Sequence, residues 1–273
     1  MSRVSAVLAT LAAVAIVLAG CAPVPNGMDR WPTAMVVLGH SGATGFNSDP
    51  DKPNQDAKEN SWATGTNKDV LSVYQRAVVQ SPALSGHAYN EAVSGSNVHD
   101  LPAQVDAALA EDRLPDLFLI QTIDNDIRCD GTDDDNYDAY GEKIAAVLAS
   151  IHVGAPDARI YVAGLWGDVQ NFTDVISLRP DIVAANQGGG PCDVFDSDGE
   201  QLPEVIANYQ GIVDEYENQL RDACDAVDGC IFGGDDVLNM QLTPDDLAPD
   251  TNYLSIRGLH KLADIVWTAL SAA

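Results

Sequence analysis

The chain has 273 residues, with 14 Lys and Arg against 41 Asp and Glu, and a formal net charge of −27 at pH 7. This length allows one large α/β domain or two small ones, and a hydrophobic content of 46% is too high for a disordered protein. The negative charge excludes nucleic acid as a natural partner, and it excludes docking on anionic lipid through a basic patch.

The N-terminus has the pattern of an export signal. Residues 1–20 contain one basic residue, Arg3, followed by an apolar run without acids, which is typical of a secretory signal. The tetrad at 18–21, Leu-Ala-Gly-Cys, resembles a bacterial lipobox, in which Cys21 is lipidated. A chance cysteine in an ordinary cleaved signal is the alternative. We predict a lipoprotein signal over 1–20, a lipidated Cys21 with a tether over 21–33, and one domain over 34–273 on the outer face of the cell membrane.

The rest of the chain alternates between short apolar runs and helical patterns. The apolar runs predict strands at 35–38, 116–121, 159–164 and 230–232, and the helical spacing predicts helices at 70–79, 101–114, 137–151, 202–227 and 256–270. Pro102 suits a first helical turn, and Ser255 suits an N-cap. The alternation predicts an α/β fold, with helices on both faces of a parallel sheet. The long polar loops at 49–65 and 177–200 are expected at the carboxyl ends of strands.

Four cysteines follow the predicted signal and lipobox: Cys129, Cys192, Cys224 and Cys230. An even number of cysteines in an exported chain favours disulfides. Only five residues separate Cys224 from Cys230, which favours a local pair, and Cys129 and Cys192 would then bridge two long loops. A zinc site is the competing interpretation, but the spacing does not suit one.

A small serine turn follows the first predicted strand. The segment 39–45 reads Gly-His-Ser-Gly-Ala-Thr-Gly, and a tight turn there exposes the Ser41 hydroxyl beside backbone N–H groups, which suits a nucleophile with an oxyanion donor. Such turns are common, so this signal is weak alone. Gly95 lies in a loop before a helix, and Asn125 follows the strand at 116–121. Either residue can supply a donor, although a turn glycine and a loop-capping asparagine are the structural alternatives.

Taken together, these segments resemble the SGNH/GDSL hydrolase superfamily over about residues 34–273. The first block of that superfamily, Gly-Asp-Ser-x-x-x-Gly, matches 39–45; its second-block glycine falls on Gly95; its Gly-x-Asn-Asp block falls on 123–126; and its Asp-x-x-His block falls on 250–253. The resemblance implies a three-layer α/β/α sandwich with a mostly parallel, flavodoxin-like sheet. It also implies ester hydrolysis through an acyl-enzyme, without a cofactor or a metal.

The resemblance assigns a role to each matched residue. Ser41 would be the nucleophile, and Asp250 would orient the base. The Ser41 N–H, the Gly95 N–H and the Asn125 side chain would form the oxyanion hole.

Three residues depart from the pattern of the superfamily. His40 replaces an aspartate beside the nucleophile, Ile123 replaces a glycine, and Tyr253 stands where the catalytic histidine should be. A tyrosine with a pKa of about 10 is roughly 0.1% ionised at pH 7, so it is a poor general base for a serine. Three histidines are candidates to replace the base, each with a structural role as the alternative: His260, His99 and His40.

The leading interpretation is a lipid-anchored serine esterase that acts on neutral acyl or acetyl esters of envelope lipids or glycans. The negative charge of the protein disfavours anionic substrates. We expect the protein to be a monomer. The alternative is a catalytically impaired protein of the same fold that binds an envelope lipid or glycan without turnover, because Tyr253 replaces the expected histidine. An inert structural lipoprotein is a third interpretation. The segment 39–45 argues against a dinucleotide or P-loop site, because it lacks the glycine spacing and the lysine of those motifs. A solvated loop is preferred to a weak Ca²⁺ site for Asp133–Asp135.

Overall fold

The computed structural model describes residues 31–273, and these residues form a single five-stranded sheet with helices on both sides. All strands are parallel, in the order β2-β1-β3-β4-β5. The strands are β1 (Met35–Gly39), β2 (Ala88–Asn90), β3 (Leu117–Gln121), β4 (Arg159–Ala163) and β5 (Cys230–Phe232). The helices are α1 (Val73–Gln80), α2 (Leu101–Leu109), α3 (Tyr137–Gly154), α4 (Val169–Ile176), α5 (Pro180–Ala185), α6 (Pro203–Asp225), α7 (Gly234–Leu238) and α8 (Ile256–Ala272).

The central strands are apolar on both faces, which divides the core into two layers. In β1, Met35 and Val37 pack into a cluster with α1, α4 and α8, whereas Val36 and Leu38 pack into a second cluster with α2 and α3. This alternation follows from the two-residue period of a strand. The predicted α/β fold, a three-layer α/β/α sandwich around a parallel sheet, is therefore confirmed.

The structure corrects several predicted elements. The short strand β2 was not predicted, nor were α4, α5 and α7, and α5 lies inside the segment 177–200 that we predicted to be a loop. The helix predicted at 70–79 begins at Val73, because Ser72 forms a capping box with Gln75. Ser255 caps α8 as predicted, by accepting the Gly258 N–H at 3.2 Å.

Both predicted cysteine pairs form disulfides. Cys129 in the segment after β3 is joined to Cys192 in the segment before α6, and Cys224 near the end of α6 is joined to Cys230 at the start of β5, each pair with a Cα–Cα distance of 5.4 Å. The first disulfide therefore fixes the loop after β3 to a segment 63 residues away in sequence.

The predicted signal over 1–20 and Cys21 lie outside the described residues. Trp31 and Thr33, at the end of the predicted tether, contact the domain: Trp31 stacks on Trp267 of α8 with ring centroids 4.8 Å apart, and the Thr33 N–H donates to Asp116 at 2.9 Å. Within residues 31–273, no helix combines the length and the apolar character needed to cross a membrane.

Candidate active site

The candidate site lies where the central strands β1 and β3 end. Gly39, the last residue of β1, has φ +134°, and a Cβ atom there would lie 1.9 Å from the Gln121 carbonyl oxygen at the end of β3. Only glycine fits this close approach. The chain then turns sharply and places Ser41, whose exposed fraction is 5%, beyond the edge of the sheet.

A cavity of about 210 Å³ opens above this turn. Its walls come from the segments after β1, β3 and β4, from α6, and from the segment before α8. They are formed by His40, Ser41, Gly42, Asp124, Asn125, Ile127, Cys129, Leu165, Trp166, Tyr209, Asn252 and Tyr253. Ser41, Asn125 and Tyr253, which the sequence analysis named as site residues, therefore line one cavity together with the candidate base His40 and with Asp124.

The hydroxyl of Ser41 forms no hydrogen bond with any residue in the range 31–273, although its carbonyl oxygen accepts the Thr44 hydroxyl at 3.0 Å and the Phe46 N–H at 3.2 Å. The turn is thus held by its backbone, whereas the serine side chain remains available to a ligand. This arrangement suits a nucleophile that is positioned by its main chain.

An imidazole and a carboxylate lie side by side in the cavity. Nε2 of His40 is 2.8 Å from an Asp124 carboxylate oxygen, and Nδ1 of the same ring accepts the Gly42 N–H at 3.1 Å. The contact between His40 and Asp124 is close but not aligned as a hydrogen bond, so its attraction is mainly electrostatic. Burial raises the pKa of the Asp124 carboxyl, but the adjacent His40 and a backbone N–H together lower it by more, so the net shift of the pKa is downward. Asp124 is therefore ionised at neutral pH.

Asn125 lies beside Asp124 at the mouth of the cavity. Its side-chain amide donates to the Ser96 carbonyl oxygen at 2.8 Å, and a carboxamide has a second N–H for an oxyanion. Ile123 begins this turn with φ +124° and is fully buried. A β-branched residue is strained in this conformation, and the position corresponds to a glycine in the superfamily motif. Packing of the buried Ile123 side chain therefore holds the strained backbone here.

A buried carboxylate ties this turn to the segment that contains the second sequence block. Asp126 accepts the Val98 N–H at 3.1 Å, and the Thr122 hydroxyl donates to the same carboxyl at 3.3 Å. Burial raises the pKa of Asp126 despite these hydrogen bonds.

The last sequence block does not supply an aspartate–histidine pair. One carboxylate oxygen of Asp250 accepts the Asn47 side-chain amide, and the other accepts the Asn252 N–H at 3.1 Å. The Tyr253 ring packs on Phe46 with centroids 4.9 Å apart. Asp250 is thus engaged with Asn47 at the position where the resemblance would have it orient a base.

Gly95 lies in a segment that packs against the Ser41 turn. The hydroxyl of the adjacent Ser96 donates to the Gly39 carbonyl oxygen at 2.7 Å, and the Ser96 carbonyl oxygen accepts the Asn125 amide. Gly95 itself has φ +83° and lines an open depression of about 410 Å³ with Ser94, Ser96 and residues of α2. Its part in an oxyanion hole with Ser41 and Asn125 stays a prediction.

The other two candidate histidines do not line the serine cavity. Nδ1 of His260 is 2.9 Å from the Val70 carbonyl oxygen, where it joins α8 to the segment before α1, and His99 is exposed. Among the residues that the structure describes, His40 is the histidine that lines the serine cavity.

The acidic run Asp133–Asp135 contributes a structural carboxylate. Asp133 is 2% exposed and accepts the backbone N–H groups of Arg128 and Cys129 and the Tyr216 hydroxyl. Between Trp31 and Ala273, no group of three His, Cys, Asp or Glu side chains is arranged to hold a metal ion.

Solved structures with similar folds are esterases and lipases. The chain is similar to an extracellular lipase from Streptomyces rimosus (16% identity, 86% of this chain and 99% of the lipase, TM-score 0.51). It is also similar to phospholipase A1 from Streptomyces albidoflavus (12% identity, 86% and 98%, TM-score 0.53) and to an acetyl xylan esterase (15% identity, 86% and 99%, TM-score 0.51). No protein-family model matches the sequence, and no curated protein matches it.

The chain shares its fold with these enzymes and with a GDSL-like lipase from Parabacteroides merdae (15% identity, 87% of this chain and 95% of that lipase, TM-score 0.53), which agrees with the fold that the sequence motifs indicated. The sequence interpretation identified Ser41 and Asn125 but assigned Asp124 no role, although it follows the same strand as Asn125. It considered His40 only as one of three possible replacements for the base. The side chains of adjacent residues on a turn usually point apart, which argues against a contact between His40 and Ser41. Because Nδ1 of His40 bonds the Gly42 N–H, the ring instead folds back over the turn and reaches Asp124.

Proposed function

We propose that the protein is a serine esterase that hydrolyses neutral carboxylic esters through an acyl-enzyme, with Ser41 as the nucleophile. The observation that carries the proposal is the cavity in which Ser41, Asn125 and the His40–Asp124 pair share the carboxyl end of the sheet. Ligands of open α/β sheets bind at this edge. The net charge of −27 favours uncharged esters over anionic ones.

In the proposed reaction, the Ser41 oxygen attacks the ester carbonyl carbon and its proton passes to His40. The ionised Asp124 stabilises the imidazolium ion, and the Asn125 amide donates to the oxyanion. The proton then moves to the departing alcohol, and water hydrolyses the acyl-serine. To accept the Ser41 proton in the first step, the Nδ1 atom of His40 exchanges its hydrogen bond from the Gly42 N–H for one from the Ser41 hydroxyl.

The test uses a fluorophosphonate probe and p-nitrophenyl esters. We expect the probe to label wild-type protein and Ser85→Ala, a control at an exposed serine, and not to label Ser41→Ala. Replacing His40 by Ala should lower kcat by about 10²–10⁴-fold, whereas His152→Ala at an exposed histidine leaves it unchanged. Absence of labelling of the folded wild-type protein, with an active serine esterase as positive control, refutes the esterase proposal.

A second candidate function is ligand binding without turnover. It is favoured by three contacts at the site: both ring nitrogens of His40 are engaged, Asp250 is bound to Asn47, and Tyr253 occupies the position of the expected histidine. In this case the wild-type protein leaves p-nitrophenyl acetate intact, and Tyr253→His gains turnover. Efficient wild-type hydrolysis that is unchanged in Tyr253→His excludes it.

We further propose that the protein is exported and anchored on the outer face of the cell membrane through lipid on Cys21, and that it acts as a monomer on an ester of an envelope glycan or lipid. The proposal rests on the apolar N-terminus and the lipobox-like tetrad. Partition of the full chain into a detergent phase, lost in Cys21→Ala, together with the acylated mass of the N-terminal peptide, is the expected result. An unmodified Cys21 in membrane-extracted protein contradicts it.

A further inference from the structure

The serine cavity has a side chamber. A second cavity of about 100 Å³ shares five wall residues with it, and its remaining walls are Gly167, Val169 and Phe172. The shared residues are Asp124, Leu165, Trp166, Tyr209 and Asn252. We call this second cavity the annex. The two cavities are thus neighbours that meet along common walls.

The annex is built from the β4–α4 connection and one face of α4. Val169 and Phe172 are three residues apart on α4, so they lie on the same side of the helix. The Phe172 ring packs edge-on against Trp166, with centroids 6.1 Å apart. Asp168 caps α4 by accepting the Asn171 N–H at 2.8 Å, which fixes the helix start beside the annex.

The walls that belong to the annex alone, Gly167, Val169 and Phe172, are apolar, whereas Asp124 and Asn252 are shared with the serine cavity and lie where the two cavities meet. A ligand that is polar at the serine and apolar beyond it matches this order of side chains. An ester has this form, since its carbonyl group lies at the nucleophile and an alkyl chain extends from it.

The volume of the annex limits the length of the alkyl chain that it can hold. A cavity of about 150 Å³ lined by aliphatic and aromatic side chains binds benzene, so the annex, at about 100 Å³, is too small for a six-carbon ring. Its size matches an aliphatic chain of a few carbons. The acyl side of the ester is the better occupant, because the alcohol must leave before water attacks the acyl-enzyme, and burial in an apolar chamber would retain it.

We propose that the annex is the acyl-chain site of this protein and that it selects short aliphatic acyl groups of two to four carbons. The inference rests on the proposed esterase function. Each methylene that the annex accommodates should raise kcat/KM about fourfold, and the increase ends when the annex is full.

The experiment compares p-nitrophenyl acetate, propionate, butyrate, hexanoate and octanoate. We expect kcat/KM to rise to butyrate and then fall. Phe172→Ala should move the maximum to a longer chain, and Val169→Phe should lower butyrate hydrolysis relative to acetate. Val153→Ala, at a residue that is 82% exposed, is the control and keeps the wild-type profile. A steady rise to octanoate or an unchanged profile in Phe172→Ala overturns the proposal.

A binding measurement separates failure of the annex from failure of the esterase function. Acetamide, butyramide and hexanamide are titrated against the full protein and followed by tryptophan fluorescence, with Trp166→Phe to assign the signal. The expected result is tighter binding of butyramide than of acetamide, with no further gain for hexanamide. If no ester is hydrolysed but this order holds, the annex proposal stands without the esterase. If the amides bind without this order, the annex proposal fails whether or not esters are hydrolysed.

Discussion

Glu217 of α6 is the buried acid whose replacement tests the electrostatics of the core most directly. Its carboxyl group lies between the ends of β4 and β5: one oxygen accepts the Leu165 N–H at 2.7 Å, and the other has no hydrogen-bond partner among residues 31–273. Cβ atoms on Gly164 or Gly234 would lie 1.9 and 2.1 Å from its carboxylate oxygens. The carboxyl thus fills a space that these two glycines leave.

Burial raises the pKa of Glu217 from 4.5 to about 7, despite the Leu165 N–H and the attraction of Arg221, and Asp235 and Asp214 raise it further. Between pH 4.5 and about 7, the folded state therefore keeps the Glu217 proton, whereas the unfolded state has already released it. Its contribution to stability is fully present below pH 4.5 and is lost as pH rises through 7. A shift of this size corresponds to about 3 kcal/mol.

We predict that Glu217→Gln removes this loss. At pH 5 its free energy of unfolding should be close to that of the wild type, and at pH 8 it should be higher by up to about 3 kcal/mol. Urea unfolding with the disulfides intact, followed by tryptophan fluorescence at both pH values, measures the difference.

The control is Glu142→Gln on the exposed surface of α3, which removes the same charge from an acidic chain without removing a buried group. For each variant, we take the change in the free energy of unfolding between pH 5 and pH 8. The test compares this change in Glu217→Gln with the same change in Glu142→Gln. A relative gain below about 1 kcal/mol would refute the argument that burial dominates the ionisation of Glu217.

Two further predictions concern stability. Asp246 is fully buried, and it accepts hydrogen bonds from the side chains of Lys261 and Thr243, which lower the pKa of its carboxyl against the effect of burial. Asp246→Asn should therefore destabilise the fold by about 3 kcal/mol at pH 7 and by less towards pH 3. An equal loss of stability at both pH values in urea unfolding contradicts this prediction. Replacing Cys129 and Cys192 by Ser should cost about 4 kcal/mol, and replacing Cys224 and Cys230 about 2 kcal/mol, because the first disulfide closes the longer loop; the reverse order in thermal unfolding contradicts the loop-entropy argument.

The central sheet was predictable because its inner strands are continuous apolar runs, as in Leu117–Gln121. The edge strand Ala88–Asn90 has three half-buried residues and no such run, so its pairing with β1 is visible only in three dimensions. The short helix Pro180–Ala185 lies in a polar stretch and is too brief to show a helical period.

The sequence predicts the parts of the site that depend on local structure, such as the position of Ser41 in a glycine-flanked turn after β1. The site was not predictable where two segments must meet. The contact between His40 and Asp124 depends on the adjacency of β1 and β3 and on the Gly42 N–H that orients the ring. The packing of the Gly95 segment against the Ser41 turn likewise depends on the path of the chain after β2.

The stacking of Trp31 on Trp267 fixes where the N-terminal segment joins the domain. The chain enters β1 at Met35, and Ser41 lies past the other end of that strand, about 15 Å away at 3.3 Å per residue. If Cys21 carries lipid as proposed, the ten residues from Cys21 to Trp31 span at most about 35 Å. That reach exceeds the distance between the two ends of β1, so the anchor would leave either end of the sheet free to face the bilayer. The cavity could then meet esters in the anchoring membrane as well as esters on the envelope side.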